Sequence, residues 1–181
     1  MEPFVIAVSR SETHTFSKTN RSNIQLIEGF GVEGDAHAGK TVKHRYLAAK
    51  EPSRPNILQI HLIQAELFDK LEKKGFSVKP GELGENITTR KIDLLSLPTG
   101  TILTVGKEAK IKLTALRSPC KQIDDFQEGL VKEVLHKNKK GEIVMEIGVM
   151  GIVVASGEVL PGDTIQIDLP PEPFQKLIYT W

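Results

Sequence analysis

The chain has 181 residues, of which 39% are hydrophobic, 26% charged and 6% aromatic, a composition that excludes overall disorder and is typical of a globular domain. Its 24 basic and 23 acidic residues nearly cancel, so the total charge favours neither a nucleic acid nor an anionic membrane as partner. The single cysteine excludes an internal disulfide, a four-cysteine zinc site and a cysteine-held iron–sulfur cluster within the chain. No signal-like start and no apolar run of ~18 residues is present, so we expect a cytoplasmic protein.

Short β-strands dominate the predicted elements. Apolar runs and alternating patterns bounded by glycine and proline indicate strands rather than helices. The segment between the last two predicted strands, residues 156–163, contains two glycines and a proline and is predicted to be a loop. In chain order, the predicted strands cover residues 5–8, 24–27, 57–63, 101–105, 111–116, 149–155 and 164–167.

Helical patterns are fewer. Residues 64–74 carry apolar side chains on one face, and Gly75 follows them as a residue suited to end a helix. Residues 122–137 predict a second helix. The expected fold is therefore mostly β, a barrel or sandwich with two main helical inserts. We expect one domain over residues 1–170 and a proline-rich C-terminal tail over residues 171–181.

The charges are distributed unevenly along the chain. Residues 36–50 have a net charge of +4, residues 107–121 also have +4, and residues 122–181 hold ten acidic and five basic side chains, a net charge of −5. Two basic segments brought together by the fold would form a focused site for a small anionic ligand. The alternative is that both segments are simply solvated surfaces.

The segment around the cysteine is the most informative one. Arg117-Ser-Pro-Cys120 follows a predicted strand and precedes a predicted helix, with Ser118 and Pro119 suited to the N-cap and first helical positions. Cys120 would then lie at the second helical position, where the helix dipole, Arg117 and Lys121 favour its thiolate. A thiolate is a nucleophile and a soft metal ligand. The alternative is a buried cysteine that acts only as a small apolar side chain.

A glycine-rich segment offers a second candidate site. Residues 30–40 contain Gly34, Asp35 and His37, which would let a ligand approach the backbone and provide a carboxylate and a titratable imidazole. Residues 34–41 also match the letters of a phosphate-binding P-loop. The short basic stretch after them ends at Pro52 and does not provide the long helix that a P-loop requires, which disfavours nucleotide hydrolysis.

Polar side chains elsewhere are harder to interpret. Asn86 lies where a glycine-rich turn enters a strand, which fits either a ligand contact or an ordinary hairpin entry. His61 lies in an apolar run and is expected to be a core residue. His14 and His136 are expected on the surface, and no spacing of histidines and acids matches a zinc site.

Four blocks in order resemble the MOSC domain family, which is named for the C-terminal domain of molybdenum cofactor sulfurases. The resemblance covers roughly residues 5–168, most of the chain. The blocks are Gly34-Asp-Ala-His-Ala-Gly, Gly84-Glu-Asn-Ile-Thr-Thr, Leu116-Arg-Ser-Pro-Cys120, and Gly151-Ile-Val-Val-Ala-Ser-Gly followed by Leu160-Pro-Gly-Asp.

The resemblance implies a barrel-like, mostly β fold, binding of the molybdenum cofactor (molybdopterin), and a role for Cys120 as sulfur carrier or molybdenum ligand. A persulfide carrier needs an accessible thiolate, and a pterin phosphate needs basic and glycine-rich surroundings. The sulfurases also contain a pyridoxal phosphate desulfurase domain, for which this chain has no room. Pyridoxal phosphate chemistry would therefore come from a separate desulfurase partner.

Three hypotheses follow. In the first, the protein is a sulfurtransferase-like enzyme that binds the molybdenum cofactor and uses Cys120 to carry sulfur as a persulfide in cofactor or metal–sulfur assembly. In the second, it is a molybdenum-dependent oxidoreductase that reduces N-hydroxylated compounds, with Cys120 on the metal and electrons from a donor protein. In the third, it is a noncatalytic β-barrel module that binds a protein or a nucleic acid, although nucleic acid is not favoured.

The expected partner is a cysteine desulfurase or an electron-donor protein, without a membrane, and the sequence does not specify an oligomer. Cys120 is the predicted catalytic residue in either enzymatic hypothesis and the metal ligand in the second. We expect the cofactor-binding residues to share its cleft, namely Gly34, Asp35, His37 and Asn86, with candidate anion contacts at Arg117, Lys121, Lys43 and Arg45.

Overall fold

The structure, a computed structural model, describes residues 2–179; Met1, Thr180 and Trp181, at the ends of the predicted domain and tail, lie outside the described residues. The described part is mostly β, as predicted. Buried and more exposed side chains alternate along residues 109–116, as they do in a strand with one face in the core. In chain order the strands are β1 (Phe4–Arg10), β2 (Thr19–Arg21), β3 (Ile24–Ile27), β4 (Gly31–Val32), β5 (Ile60–Gln64), β6 (Ile87–Arg90), β7 (Ile102–Val105), β8 (Ala109–Leu116), β9 (Leu135–Lys137), β10 (Ile143–Met145), β11 (Val149–Ala155), β12 (Gly157–Val159) and β13 (Ile165–Asp168).

Eight of these strands form the main sheet. Their order is β13-β7-β8-β11-β5-β6-β1-β2, and every neighbouring pair is antiparallel except β5 and β6. Strands β12, β3 and β4 form a second sheet, and β9 and β10 pair as a small hairpin. Strand β12 corrects the sequence prediction, which had a loop over residues 156–163; a three-residue strand that begins with glycine gives too little pattern to recognise.

The barrel part of the prediction is not confirmed, because the sheets are open. Strand β1, the second strand from one end of the main sheet, nevertheless approaches the opposite end through an isolated bridge between Phe4 and Thr164. Three backbone hydrogen bonds accompany it, from the N–H groups of Val5, Gly162 and Ile165 to the carbonyls of Asp163, Val5 and Pro3. These contacts hold β1 beside the start of β13 without a continuous ladder.

The helices differ from the prediction in number. They are α1 (Arg45–Lys50), α2 (Glu66–Glu72), α3 (Gln122–Phe126) and α4 (Leu130–Val134), with a 3₁₀ turn over Leu94–Ser96. The helix predicted at 64–74 corresponds to α2, and Gly75 follows it with a φ of +89°. The single helix predicted over residues 122–137 is wrong, because Gly129, at a φ of +85°, separates α3 from α4 and the chain then enters β9.

The buried apolar side chains of the described residues form three clusters. The main cluster lies within the sheets, and a second, built around Phe68, Leu71 and Ile123, packs α2, α3 and α4 against one side. A third and smaller cluster joins Leu47 of α1 to Met150 of β11. Helices α1 and α3 belong to different clusters, and both contribute residues to the lining of the cavity described below.

The proline-rich tail packs along the main sheet. Leu177 is buried in the main cluster, Gln175 accepts a backbone hydrogen bond from Thr99, and Ile178 accepts one from Leu116. Phe174 and Ile178 remain exposed. Among residues 2–179, every helix is too short or too polar to cross a bilayer.

Candidate functional site

One cavity of about 360 Å³ lies between the segment before β2, the glycine-rich segment after β4, helix α1 and the end of β8. Its volume is within the range of roughly 300–1,000 Å³ that small-molecule sites occupy. The lining combines titratable, amide and apolar side chains, and consists of His14, Thr15, Phe16, Lys18, His37, His44, Arg45, Tyr46, Leu58, Gln59, His61, Leu83, Gly84, Asn86, Arg117, Cys120, Gln122 and Met150.

Cys120 faces this cavity from the linker between β8 and α3. The cysteine is free and half-buried, with its Sγ 3.8 Å from Oε1 of Gln122. The predicted helical position is wrong, because α3 begins at Gln122 and the Ser118 hydroxyl donates to the Pro119 carbonyl instead of capping a helix. Electrostatic support for a thiolate must therefore come from side chains rather than from the five-residue helix.

Arg117 is the cation beside the thiol. Its backbone N–H donates to the Gly148 carbonyl at 3.0 Å, and its guanidinium donates to the Ser118 carbonyl. Burial lowers the pKa of Arg117, while the neighbouring Cys120 acts in the opposite direction. A guanidinium stays protonated in proteins, so Arg117 places a positive charge beside the side chain of Cys120.

Asp35 is the centre of a buried polar network behind the cavity wall. The Nζ of Lys18 lies 2.9 Å from one of its carboxylate oxygens and 3.1 Å from the other. The Nδ2 of Asn86 and the backbone N–H of His37 also donate to it, at 3.0 and 2.9 Å. Burial alone would raise the pKa of Asp35, but the hydrogen bonds from His37 and the charge of Lys18 outweigh it and hold that pKa well below its usual range. Asp35 is thus ionised, and its negative charge is paired with Lys18 inside the protein.

Asn86 has no hydrogen-bonding capacity left for a ligand. Its Nδ2 donates to the Ser9 carbonyl at 3.1 Å as well as to Asp35, and its Oδ1 accepts from Lys18 and from the backbone N–H of His61, both at 3.2 Å. An amide side chain has two donors and two acceptor positions, and all four are used here. Asn86 therefore positions Lys18 and Asp35 although it also lines the cavity.

Four histidines line the cavity, at positions 14, 37, 44 and 61. The Nδ1 of His37 is 3.3 Å from Oδ1 of Asp35, and the rings of His14 and His37 meet edge to face with centroids 4.9 Å apart. Burial lowers the pKa of His37 and of His44, and Arg117 adds to the effect at His44. The imidazoles of His37 and His44 are therefore largely neutral at neutral pH and can accept a proton.

His61 is the most buried of the four, with 4% of its surface exposed, so the expectation of a core histidine is confirmed. Burial lowers its pKa to about 3. Its Nε2 lies 2.8 Å from the Ile147 carbonyl, which can only accept, so Nε2 carries the proton and donates it. His61 still contributes to the cavity wall, which its apolar sequence context did not indicate.

The structure brings five of the predicted site residues to the cavity: Cys120, His37, Asn86, Arg117 and Arg45. Gly34, Asp35, Lys43 and Lys121 are not in its lining. A Cβ on Gly34 would lie 1.7 Å from the guanidinium of Arg10, so this glycine leaves room for Arg10 and not for a ligand. Lys43 contributes its backbone carbonyl, 2.9 Å from Nε2 of His14, and the side chains of Lys43 and Lys121 are exposed.

Several lining residues were not found from the sequence, above all Lys18 and His44. Lys18 precedes a three-residue strand, and its buried pairing with Asp35 across 17 positions leaves no local pattern. His14 was expected on the surface; it is exposed and also lies at the cavity. No group of three or more His, Cys, Asp or Glu within residues 2–179 is arranged to hold a metal ion by itself.

Comparison with known families gives a match to the MOSC domain over residues 53–166. The chain belongs to the MOSC domain family. The resemblance found in the sequence motifs is thereby confirmed, and the matched residues of this MOSC chain include Asn86, Arg117 and Cys120. Lys18, Asp35 and His37 precede them, so the cavity is built partly from a segment outside the match.

Solved structures show the same fold in other stand-alone proteins. The YuaD protein of Bacillus subtilis is 24% identical, with a TM-score of 0.75 and a match that covers 94% of this chain and 98% of YuaD. YiiM of Geobacillus stearothermophilus is 14% identical, with a TM-score of 0.65 over 97% of this chain and 80% of that one. YiiM of Escherichia coli is 18% identical, with a TM-score of 0.65 over 97% and 73%. A search of curated proteins found no match.

Proposed function

We propose that this MOSC protein binds the molybdenum cofactor in the 360 Å³ cavity and uses Cys120 to carry sulfur, as a persulfide, in cofactor or metal–sulfur assembly. The observation that carries the proposal is the placement of Cys120. The only thiol of the chain lines a ligand-sized cavity, beside the positive charge of Arg117. A thiol sealed in the apolar core would have no such role.

The lining residues suit the chemistry of a phosphorylated pterin dithiolene. Arg45 and Arg117 offer positive charge to a phosphate, since a guanidinium matches phosphate geometry. The apolar side chains of Phe16, Leu83 and Met150 offer a surface for a flat ring system. Cys120 is the soft donor that molybdenum accepts, and the cofactor, when bound, supplies a redox-active metal that exchanges sulfur or oxygen ligands.

Sulfur loading follows ordinary thiolate chemistry on this chain. The Cys120 sulfur, in its thiolate form beside the charge of Arg117, attacks the terminal sulfur of a donor persulfide, R–S–SH. A new S–S bond forms at Cys120, the S–S bond of the donor breaks, and the donor leaves as R–S⁻, so atoms and electrons balance. The donor would be a separate protein, such as a pyridoxal phosphate-dependent cysteine desulfurase.

A second candidate function is reduction of N-hydroxylated compounds, with Cys120 as a molybdenum ligand. The neutral histidines of the cavity favour it, because removal of the oxygen of an N–OH group as water consumes two electrons and two protons. His37, held by Asp35 at 3.3 Å, can take up a proton from solvent and return it in the cavity. The electrons would come from a separate donor protein.

Mass spectrometry after incubation with a persulfide-loaded desulfurase tests the first function. Cys120 should gain the mass of one sulfur atom, and Cys120→Ser should gain none. Arg117→Gln should load more slowly, because the thiolate loses its neighbouring charge. An unmodified Cys120 under conditions that alkylate it readily would contradict sulfur carriage.

Metal analysis and a turnover assay separate the second function from the first. Protein from a cofactor-competent host should contain molybdenum and reduce hydroxylaminopurine with dithionite if Cys120 serves as a metal ligand. Cys120→Ser should lose both. A preparation with bound pterin, no reductase activity and a Cys120 that accepts sulfur would favour the first function alone, and a Cys120→Ser variant that retains full function would favour the noncatalytic binding module.

A further inference from the structure

The rim of the cavity carries a cluster of exposed cations, of which the proposed function uses only Arg45. We call the basic rim the set Lys40, Lys43, Arg45, Lys50 and Lys121, all of which are exposed. Arg45 lines the cavity, Lys43 binds the cavity residue His14 through its carbonyl, and Lys121 lies between the lining residues Cys120 and Gln122. These cations therefore lie on two segments, residues 40–50 and 120–122, that contribute residues to the cavity lining.

Among residues 2–179, none of the five basic-rim residues takes part in an ion pair with an acid. Glu51, the acid that follows Lys50, lies 4.0 Å from Arg54 instead. Residues 40–50 thus carry four basic and no acidic side chains in a protein whose total charge is only +1. A positive field around an opening attracts an anionic partner and raises its rate of association.

An aromatic side chain stands among these cations. Tyr46 is 58% exposed, lines the cavity, and has the Nζ of Lys50 4.3 Å above the centroid of its ring. Exposed tyrosine and arginine side chains supply much of the binding energy of protein interfaces, whereas an isolated phosphate would need only the charges. Tyr46 beside Arg45 therefore favours a protein as the occupant.

We propose that the basic rim docks an acidic protein surface that surrounds a persulfide, so that the donor sulfur enters the cavity opposite Cys120. This inference rests on the proposed function, because it names the partner of the same thiol. The transfer is the balanced exchange already described, in which the donor leaves as a thiolate. The acidic surface of the donor would bring its sulfur to the entrance and dissociate readily at high salt.

The test compares two double charge reversals of equal size. Lys40→Glu/Lys50→Glu alters the basic rim without replacing a lining residue. Lys107→Glu/Lys110→Glu is the matched control. Both control residues are exposed: Lys107 lies in the turn before β8, and Lys110 is the second residue of β8, about 23 Å along the strand from Arg117. Each protein is incubated with a persulfide-loaded cysteine desulfurase of net negative charge, and separately with an uncharged alkyl persulfide.

The rim variant should accept sulfur from the desulfurase about ten-fold more slowly than the unaltered protein, and with a weaker dependence on salt. The control variant should match the unaltered protein, and all three should react equally with the alkyl persulfide. Equal rates from the desulfurase for both variants, or an equal loss in both, would overturn the docking proposal. A rim variant that loses only binding to single-stranded RNA would also overturn it. Failure of the unaltered protein to accept sulfur even from the alkyl persulfide would instead contradict the proposed function.

Discussion

Single residues at this site divide into those that face the cavity and those that hold others in place. Cys120 and Arg117 face it, whereas Asp35 has every oxygen engaged by Lys18, Asn86 and backbone N–H groups. The motif that contains Asp35 is recognisable in the sequence, and it predicted that this carboxylate binds the cofactor. The structure corrects that role, because a fully hydrogen-bonded carboxylate has nothing left to offer a cofactor.

Asp35→Asn should destabilise the fold strongly. The side chains of Lys18 and Asp35 are 4% and 0% exposed, and removal of one partner of such a buried pair leaves an uncompensated charge, at a cost of about 3–5 kcal/mol. Asp69→Asn breaks the surface pair with Arg90 and should cost less than about 1 kcal/mol. Urea denaturation measures both, and equal losses in the two variants would show that the buried network is not structural.

His61 should make the stability depend on acid pH. Its folded pKa of about 3 lies below the ordinary value of 6.5, so the unfolded chain takes up a proton first as the pH falls. The free energy of unfolding should therefore decrease between about pH 6.5 and pH 3, by on the order of 4 kcal/mol at about 1.4 kcal/mol per pKa unit.

The matched variant is His61→Gln, which should be less stable at pH 7 but should show a smaller decrease over the same pH interval. Thermal or urea unfolding at successive pH values measures the difference. Parallel curves for the two proteins would mean that His61 titrates alike in the folded and unfolded chains.

Individual elements show where local patterns suffice and where they fail. The strands predicted at 24–27 and 149–155 have the bounds found in the structure, since both follow clear apolar patterns. The helix predicted over 122–137 fails because its apolar spacing is compatible with α3 and α4 but does not reveal the break at Gly129. That break depends on backbone geometry and on the pairing of β9 with β10, which no local pattern contains.

Gly129→Ala tests the break directly. The φ of +85° is a left-handed conformation that costs a residue with a Cβ about 1–2 kcal/mol, and the added methyl would meet only Phe76, at an ordinary 3.9 Å. The loss of stability should therefore be about 1–2 kcal/mol and come from the backbone alone.

Gly129→Asn is the control, since asparagine tolerates this conformation better than alanine. It should be the more stable of the two variants in urea denaturation. An asparagine variant no more stable than the alanine variant would contradict a backbone origin of the cost.

At the scale of the whole molecule, the sequence predicted the family and the mostly β class but not which segments combine to form the cavity. The cavity combines residues from before β2, from α1 and from the end of β8, and those segments are distant in the chain. The charge pattern predicted a focused positive site if the fold joined the basic segments, and Arg45 and Arg117 do line one cavity, whereas Lys43 and Lys121 are exposed outside its lining. Lys18 could not be found because its burial depends on tertiary pairing.

The central claim is that Cys120 and the anion-binding side chains share one cavity and one ligand. The most direct measurement is the rate of alkylation of Cys120 by iodoacetamide, which reports on the only thiol of the chain, with and without molybdenum cofactor released from a molybdenum enzyme. Bound cofactor should slow alkylation at least about ten-fold, and Arg45→Glu should abolish the protection because the cofactor no longer binds. Unchanged alkylation while equilibrium dialysis shows the cofactor bound would contradict the account.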